Sequence, residues 1–371
     1  MKTVLQICPR LNGGGIERGV VEVATACASA GFRSMVASGG GYHVADLERA
    51  GVTHVTLPLY KKSPFSMRQN ARLLQELVSS ESIDLIHARS RAPIWSAVMA
   101  KKKLSIPLIT GCHGLHDAGP LGLKRLYNRC VALGDQVVVN SHCVADYVQQ
   151  EFSCDMSKVN VIHRGVDVAY WQQPATVEEK HALSDVLPLE KPIILMPGRI
   201  TRWKGQVVLL QAFIQLAAET DAVLVFAGRV DSEDYAKELH TLVSDHQLSS
   251  RVFFLGECNF MRALYQAAAV TVSASIEPEA FGRIAIEAQA AGSIMCASNI
   301  GGTKETIVPN ETGFVFTAGS VPDLVKKMKK VIIIDDDERA LIKQRSAEHI
   351  RNHFTLEVMQ NKVLALYRSV L

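Results

Sequence analysis

The chain has 371 residues, 48% of them hydrophobic, and a formal net charge of +3. That length and apolar content suit two domains of about 170 to 190 residues, each able to bury its own core. Eight cysteines without a Cys-x-x-Cys pair or a zinc-ligand spacing exclude a disulfide scaffold and a metal ribbon, leaving reduced, buried thiols as the expectation.

The charge is unevenly spread. Residues 1–170 hold 19 lysines and arginines against 13 acids, a net +6, so the remainder nets −3. Much of the positive charge lies beside apolar residues, in Lys101-Lys102-Lys103-Leu104 and in Leu121-Gly122-Leu123-Lys124-Arg125-Leu126-Tyr127. That combination suits an anionic membrane surface, and equally a solvated helix face. The apolar run after Met1 is too short for a signal peptide, and no stretch approaches the ~20 apolar residues of a spanning helix. A cytoplasmic protein, peripheral at the inner face of the membrane if the basic patches do bind lipid, is the expectation. No nucleic-acid partner is expected, and no sequence feature marks an oligomer interface.

Short β-branched runs alternate with amphipathic stretches from end to end, the pattern of parallel sheets covered by helices, so the fold class is α/β. The first half reads as strands at 4–8, 34–37, 54–57, 85–87, 108–110, 136–139 and 159–162. A second series follows at 192–196, 222–226, 252–255, 270–273, 294–297 and 313–316. Between them, residues 168–191 are polar and lack a strand, which suits a hinge region. The expected division is 1–170, 171–355, and a C-terminal helix at 356–371 that packs back on the first domain. Ligands in such sheets bind beyond the carboxyl ends of the strands, so the loops after Cys8, Thr110, Met196 and Ser273 should converge on a cleft.

The first of these loops carries Gly13-Gly14-Gly15 and leads directly into a helix, where backbone N–H groups can approach a phosphate. A dinucleotide fold competes. However, Gly13, Gly15 and Gly19 give Gly-x-Gly-x-x-x-Gly, and the second strand ends in Ser38-Gly39-Gly40-Gly41 without a ribose-binding acid. His87 ends another strand. His113, in Gly111-Cys112-His113-Gly114, follows a buried strand, so its ring can reach the cleft as a donor or acceptor. His163 and Arg164 precede Gly165-Val166-Asp167 and are candidates for shaping the hinge.

The second half supplies Gly198-Arg199-Ile200-Thr201-Arg202-Trp203-Lys204-Gly205, with Arg199 on a loop and Lys204 at a helix opening. A guanidinium fork and an ammonium point charge there suit a leaving diphosphate. Glu279 and Glu287 lie eight positions apart, the first on a loop and the second on the following helix, on the order of 10 Å apart by helical rise. A retaining glycosidase pair needs roughly 5 Å. These carboxylates therefore suit opposite ends of one elongated polar ligand, the shape of a nucleotide sugar. Finally, Val331-Ile332-Ile333-Ile334-Asp335-Asp336-Asp337 imitates a strand ending in metal ligands, but Asp337 as the cap of a helix from Glu338 is explanation enough, and no metal site is expected.

Together, Glu279 to Glu287 with Ala288 and Ala291-Gly292, the Gly198 to Gly205 loop, Gly301-Gly302-Thr303-Lys304-Glu305 and Asn160 to Asp167 resemble glycosyltransferase family 4 over nearly the whole chain. The chain departs where His163-Arg164 replaces a frequent Pro-Asn and Ala280 a frequent proline. The resemblance implies a GT-B fold, two Rossmann-like lobes whose parallel sheets face an interdomain cleft. It also implies a retaining transferase of the lipopolysaccharide or envelope-glycan type that requires no metal or other cofactor. The implied donor is a nucleoside-diphosphate sugar, UDP-linked first and GDP-linked second, and the acceptor a glycan or lipid-linked glycan. Glu287 would hold the ribose, Glu279 the sugar hydroxyls, Arg199 with Lys204 the diphosphate, and His113 the donor sugar from the first lobe. The amides of Gly282, Arg283 and Ile284 would stabilise the anion, with Gly14, Gly15, Gly198 and Phe281 completing the donor contacts. The rivals are a nicotinamide-dependent oxidoreductase and a non-catalytic two-lobed sugar-binding protein.

Overall fold

The computed structural model describes residues 1–116 and 122–371, so Leu121 of the second basic-apolar run lies outside them. Each expected strand forms. In the first half these are β1 Thr3–Ile7, β2 Arg33–Ser38, β3 Thr53–Thr56, β4 Leu85–Arg89, β5 Leu108–Cys112, β6 Gln136–Val139 and β7 Val159–Val161. They pair in parallel in the order β3-β2-β1-β4-β5-β6-β7. The second half forms β8 Ile193–Pro197, β9 Val223–Ala227, β10 Val252–Phe254, β11 Ala268–Ser273, β12 Met295–Ser298 and β13 Gly313–Phe316, also parallel, in the order β10-β9-β8-β11-β12-β13. Every residue of β1, β4, β5, β8 and β9 is buried, as expected for strands covered by helices on both faces.

The chain divides into two compact units, Met1–Arg164 with Leu356–Leu371, and Gly165–Thr355. The break thus falls six residues before the expected 170, for a backbone reason. The Val166 N–H donates to the Phe354 carbonyl at 2.8 Å, and Val166 bridges Thr355 in parallel, fixing this stretch to the second unit. Residues 168–191 are likewise packed there rather than open. They form helices Val168–Gln172 and Val177–Ser184, bury Trp171, Leu183 and Leu187, and close a capping box between Thr176 and Glu179. The Glu179 carboxylate also receives Arg262 at 2.6 Å.

In the first unit, helix Gly15–Ser29 buries Val20, Val23, Ala24 and Cys27 at helical spacing. Helix Leu356–Val370 packs Met359, Val363 and Tyr367 into one core with Val4, Val23 and Leu85. His87 therefore lies within β4 and is not at its end; its Nδ1 shares a 2.5 Å hydrogen bond with the Tyr367 hydroxyl, and burial drives its pKa well down. The run Val331-Ile332-Ile333 ends a helix, Val321–Ile333, and the cap of the next one is Asp335, which accepts from the Glu338 N–H at 2.7 Å, in place of the expected Asp337. Among the described residues no disulfide forms, and burial pushes the Cys8, Cys27 and Cys112 thiols up to about 12. No described helix is long and apolar enough to cross a membrane.

Candidate functional site

Strand order reverses between β8 and β11, and the loops after these two strands are clasped by their backbones. The Ile276 N–H donates to the Trp203 carbonyl at 2.9 Å. Gly205, at φ 77°, lies so close that a Cβ there would meet the Ala274 carbonyl at 2.0 Å. This clasp carries Lys204, the last residue of a 3-10 turn, to Glu279, and the two side chains form an ion pair with little exposure, 7% and 18%. The second Glu279 oxygen receives the Thr303 hydroxyl at 3.4 Å, while the Gly302 N–H donates to the Glu279 carbonyl at 2.7 Å. Lys204 Nζ also lies 4.6 Å from the centre of the Trp203 ring.

Helix Arg283–Ala290 starts beside them. Its cap is Gly282 in the left-handed region, with no side-chain capping bond, and a Cβ there would strike Thr303 Oγ1 at 2.2 Å. The first amides of this helix are left without helical acceptors, a ready anion site. One turn on, Glu287 faces Arg283 at 3.4 Å and accepts from the Tyr265 hydroxyl. Burial, then the Glu287 charge, lifts the Tyr265 phenol well above its usual range. Gly198 Cα faces the same helix: a Cβ there would lie 3.3 Å from Ile284 Cδ1. Arg199 is half exposed and paired with Asp231 at 2.7 Å, so both expected diphosphate cations already have carboxylate partners. Phe281 is in the core against Phe354, ring centres 6.1 Å apart, so its side chain offers the site little surface.

In the first unit, strand order reverses between β1 and β4. Gly13 and Gly14 have φ of 133° and 117°, and a Cβ on Gly13 would meet the Tyr42 hydroxyl at 2.1 Å. Gly14 caps helix Gly15–Ser29. Gly19 is small for another reason than dinucleotide binding: a Cβ there would be 2.1 Å from the Arg164 guanidinium. His113 follows β5; both its ring nitrogens are buried without a hydrogen-bond partner, and burial, then Arg164 and Arg89, keep the ring neutral. It lines a cavity of about 560 Å³ with Arg10, Glu17, Lys62 and Arg91.

The sequence reading missed Asp231, Thr303 and Tyr265, as well as the cavity cations Arg10, Lys62 and Arg91. Thr303 stands in the quoted Gly301-Gly302-Thr303 motif, and Arg91 directly follows the strand end that drew attention to His87. All but Tyr265 lie in a loop or at a helix start beyond a strand's carboxyl end, the available signal. Tyr265 gave none, because it reaches Glu287 from a helix, Met261–Ala267, that precedes β11.

Two doubly wound lobes of parallel strands, with polar groups gathered where strand order reverses, are the architecture of GT-B glycosyltransferases. Residues 178–349 match the glycosyl transferases group 1, and residues 13–170 match glycosyltransferase family 4. A glycosyltransferase of known structure from Rickettsia africae ESF-5 is 33% identical, with 100% of this chain and 98% of that one covered and a TM-score of 0.89. The lipopolysaccharide core biosynthesis mannosyltransferase LpcC of Rhizobium leguminosarum bv. viciae is 32% identical over 57% of this chain and 60% of that protein. Anabaena Alr3699/HepE, solved in complex with UDP, shares the fold with a TM-score of 0.85, at 23% identity over 100% of both chains. The chain belongs to glycosyltransferase family 4, and it is an enzyme of that class.

Proposed function

We propose that the second unit holds a nucleoside-diphosphate sugar, UDP-linked in preference to GDP-linked, and that the enzyme moves the sugar with retained configuration to a hydroxyl of an envelope glycan or glycolipid. The carrying observation is the Lys204–Glu279 pair beside the uncapped start of helix Arg283–Ala290, with Glu287 one turn further on. In this reading Glu287 binds the ribose and Glu279 the sugar hydroxyls, while Arg199, Lys204 and the amides of Gly282, Arg283 and Ile284 hold the diphosphate, with Gly14, Gly15 and Gly198 allowing close backbone approach. His113 hydrogen-bonds the donor sugar. As the bond from the anomeric carbon to the diphosphate oxygen breaks, negative charge grows on the leaving group, and fixed cations and N–H dipoles favour that state over the ground state. The acceptor hydroxyl forms the new bond on the same face and gives its proton to the departing phosphate. No metal is needed, because the cations supply the charge. The UDP held by Alr3699/HepE and the lipopolysaccharide role of LpcC support this choice of donor and acceptor class.

Calorimetry with UDP, GDP, ADP and NADH, chelator present, tests the reading. Metal-free binding of one nucleoside diphosphate, lost in Glu287→Ala, is expected; binding of NADH alone would overturn it. For membrane contact, the favoured surface is a groove of about 470 Å³ lined by Arg68, Arg72, Lys102 and Lys103, with Phe65 exposed on the same helix as Arg68. Vesicles with phosphatidylglycerol should retain the protein at low salt and release Lys102→Gln/Lys103→Gln; equal retention of the variant removes this surface.

A further inference from the structure

The first-unit cavity carries more positive charge than a neutral sugar needs. Arg10, Lys62 and Arg91 line it against the one carboxylate of Glu17. Among the described residues none of the three cations forms an ion pair with a carboxylate. Instead each guanidinium is oriented by neutral groups. Arg10 lies 4.2 Å from the centre of the Tyr60 ring, and Arg91 donates to the Asn128 side-chain oxygen at 2.8 Å. Both keep donors to spare, since a guanidinium has five. His116 adds no charge at neutral pH, because burial, then Arg91, lowers its pKa to about 4.

The backbone points the same way. Helix Arg91–Lys101 opens at the cavity, and its cap, Ser90, makes no side-chain capping bond and is held at φ 74°, a costly region for a residue with a Cβ. The amides of Arg91 and Ala92 thus have no helical acceptor, and Pro93 has no N–H to satisfy. His113, its two ring nitrogens buried and unpartnered, lines the same cavity. Three cations less one carboxylate leave two positive charges. A phosphate monoester carries about −1.5 to −2, whereas a carboxylate or a phosphodiester would leave one cation uncompensated in a recessed site.

We propose that this cavity binds a phosphate monoester on the acceptor, so that the enzyme glycosylates a phosphorylated polyol, sugar or lipid headgroup and not a neutral glycan. The proposal rests on the transferase reading above and names the acceptor class for it. Arg10, Lys62, Arg91 and the open end of helix Arg91–Lys101 grip the phosphate and so fix which hydroxyl is presented.

The test uses the full chain with the second unit saturated by UDP, so that phosphate cannot report from the donor site. Glycerol 3-phosphate is titrated by calorimetry, alongside vesicles containing phosphatidic acid. Binding of the soluble monoester identifies a free phosphorylated acceptor; tighter binding of phosphatidic acid than of phosphatidylglycerol vesicles, at a salt concentration that screens the Lys102 and Lys103 surface, identifies a lipid headgroup. Either should weaken at least tenfold in Arg10→Gln/Arg91→Gln, with UDP affinity and the far-ultraviolet spectrum unchanged. No binding of either probe, or binding that survives Arg10→Gln/Arg91→Gln, overturns the proposal while UDP binding by the wild type leaves the transferase reading standing. Failure of UDP itself to bind counts against that reading instead.

Discussion

Lys204 and Glu279 lie 75 positions apart in sequence, yet their charged ends meet beneath the surface. Removing one partner of a fully buried pair costs about 3–5 kcal/mol. Glu279 keeps some access to water, so Glu279→Ala should lose less than that in urea unfolding. Turnover of the nucleotide sugar should fall by orders of magnitude while the nucleotide still binds. Lys204→Met with Glu279→Leu should be more stable than the sum of the single losses predicts. Additive losses would mean that the pair is not energetically coupled.

In the proposed function Glu287 binds the ribose; in the structure it faces Arg283 and Tyr265. Hydrogen bonds to a charged group contribute about 1.5–3 kcal/mol each, or roughly 10- to 100-fold in affinity. Glu287→Ala should weaken nucleotide binding by that much. Tyr265→Phe, which leaves the carboxylate in place, should change it far less. Similar losses in the two variants would make Glu287 a structural group.

Gly282 and Gly31 both have positive φ, 81° and 84°, but only Gly282 is crowded, by Thr303. Gly31→Ala should cost only the left-handed penalty, about 1–2 kcal/mol. Gly282→Ala should cost more and also lower kcat, because the Thr303 hydroxyl it would displace donates to the Glu279 carboxylate. Thermal melts and initial rates check both, and equal costs would show that the loop yields freely.

His116 has its folded pKa lowered from 6.5 to about 4, chiefly by burial. Between those values the unfolded chain binds more protons, so stability rises with pH across the window and is lost as pH falls from 6.5 toward 4. Buried His87 and His113 shift in the same direction. The melting temperature should therefore drop steadily from pH 7 to pH 4.5, and less steeply in His116→Gln. A parallel decline in that variant would assign the acid sensitivity elsewhere.

The inner strands were readable because both their faces are covered, so β-branched runs such as Val137-Val138-Val139 stand out without alternation. The same local logic placed Glu279 on a loop and Glu287 on a helix. What it could not give was partnership across the chain. Lys204 was seen as a cation and Glu279 as a sugar ligand, but their pairing depends on two loops brought together by the clasp at Gly205 and Trp203. Asp231 and Tyr265 were hidden for the same reason. A motif position such as Phe281 does not reveal that its side chain turns into the core, and Asp335, Asp336 and Asp337 are equivalent as caps until the helix register is known.

Tyr367 seals the core that Val4 and Leu85 begin. The first unit can therefore finish folding only after the roughly 190 residues of the second have been translated, a delay of about 10 to 40 s at 5–20 residues per second. During that interval the growing chain carries an unsealed apolar face on its first sheet beside an independently folding insert. The nascent enzyme should thus call on a ribosome-associated chaperone through its first half, and a stall between Thr355 and Tyr367 should leave a chain whose second unit is native and whose first is still open to protease.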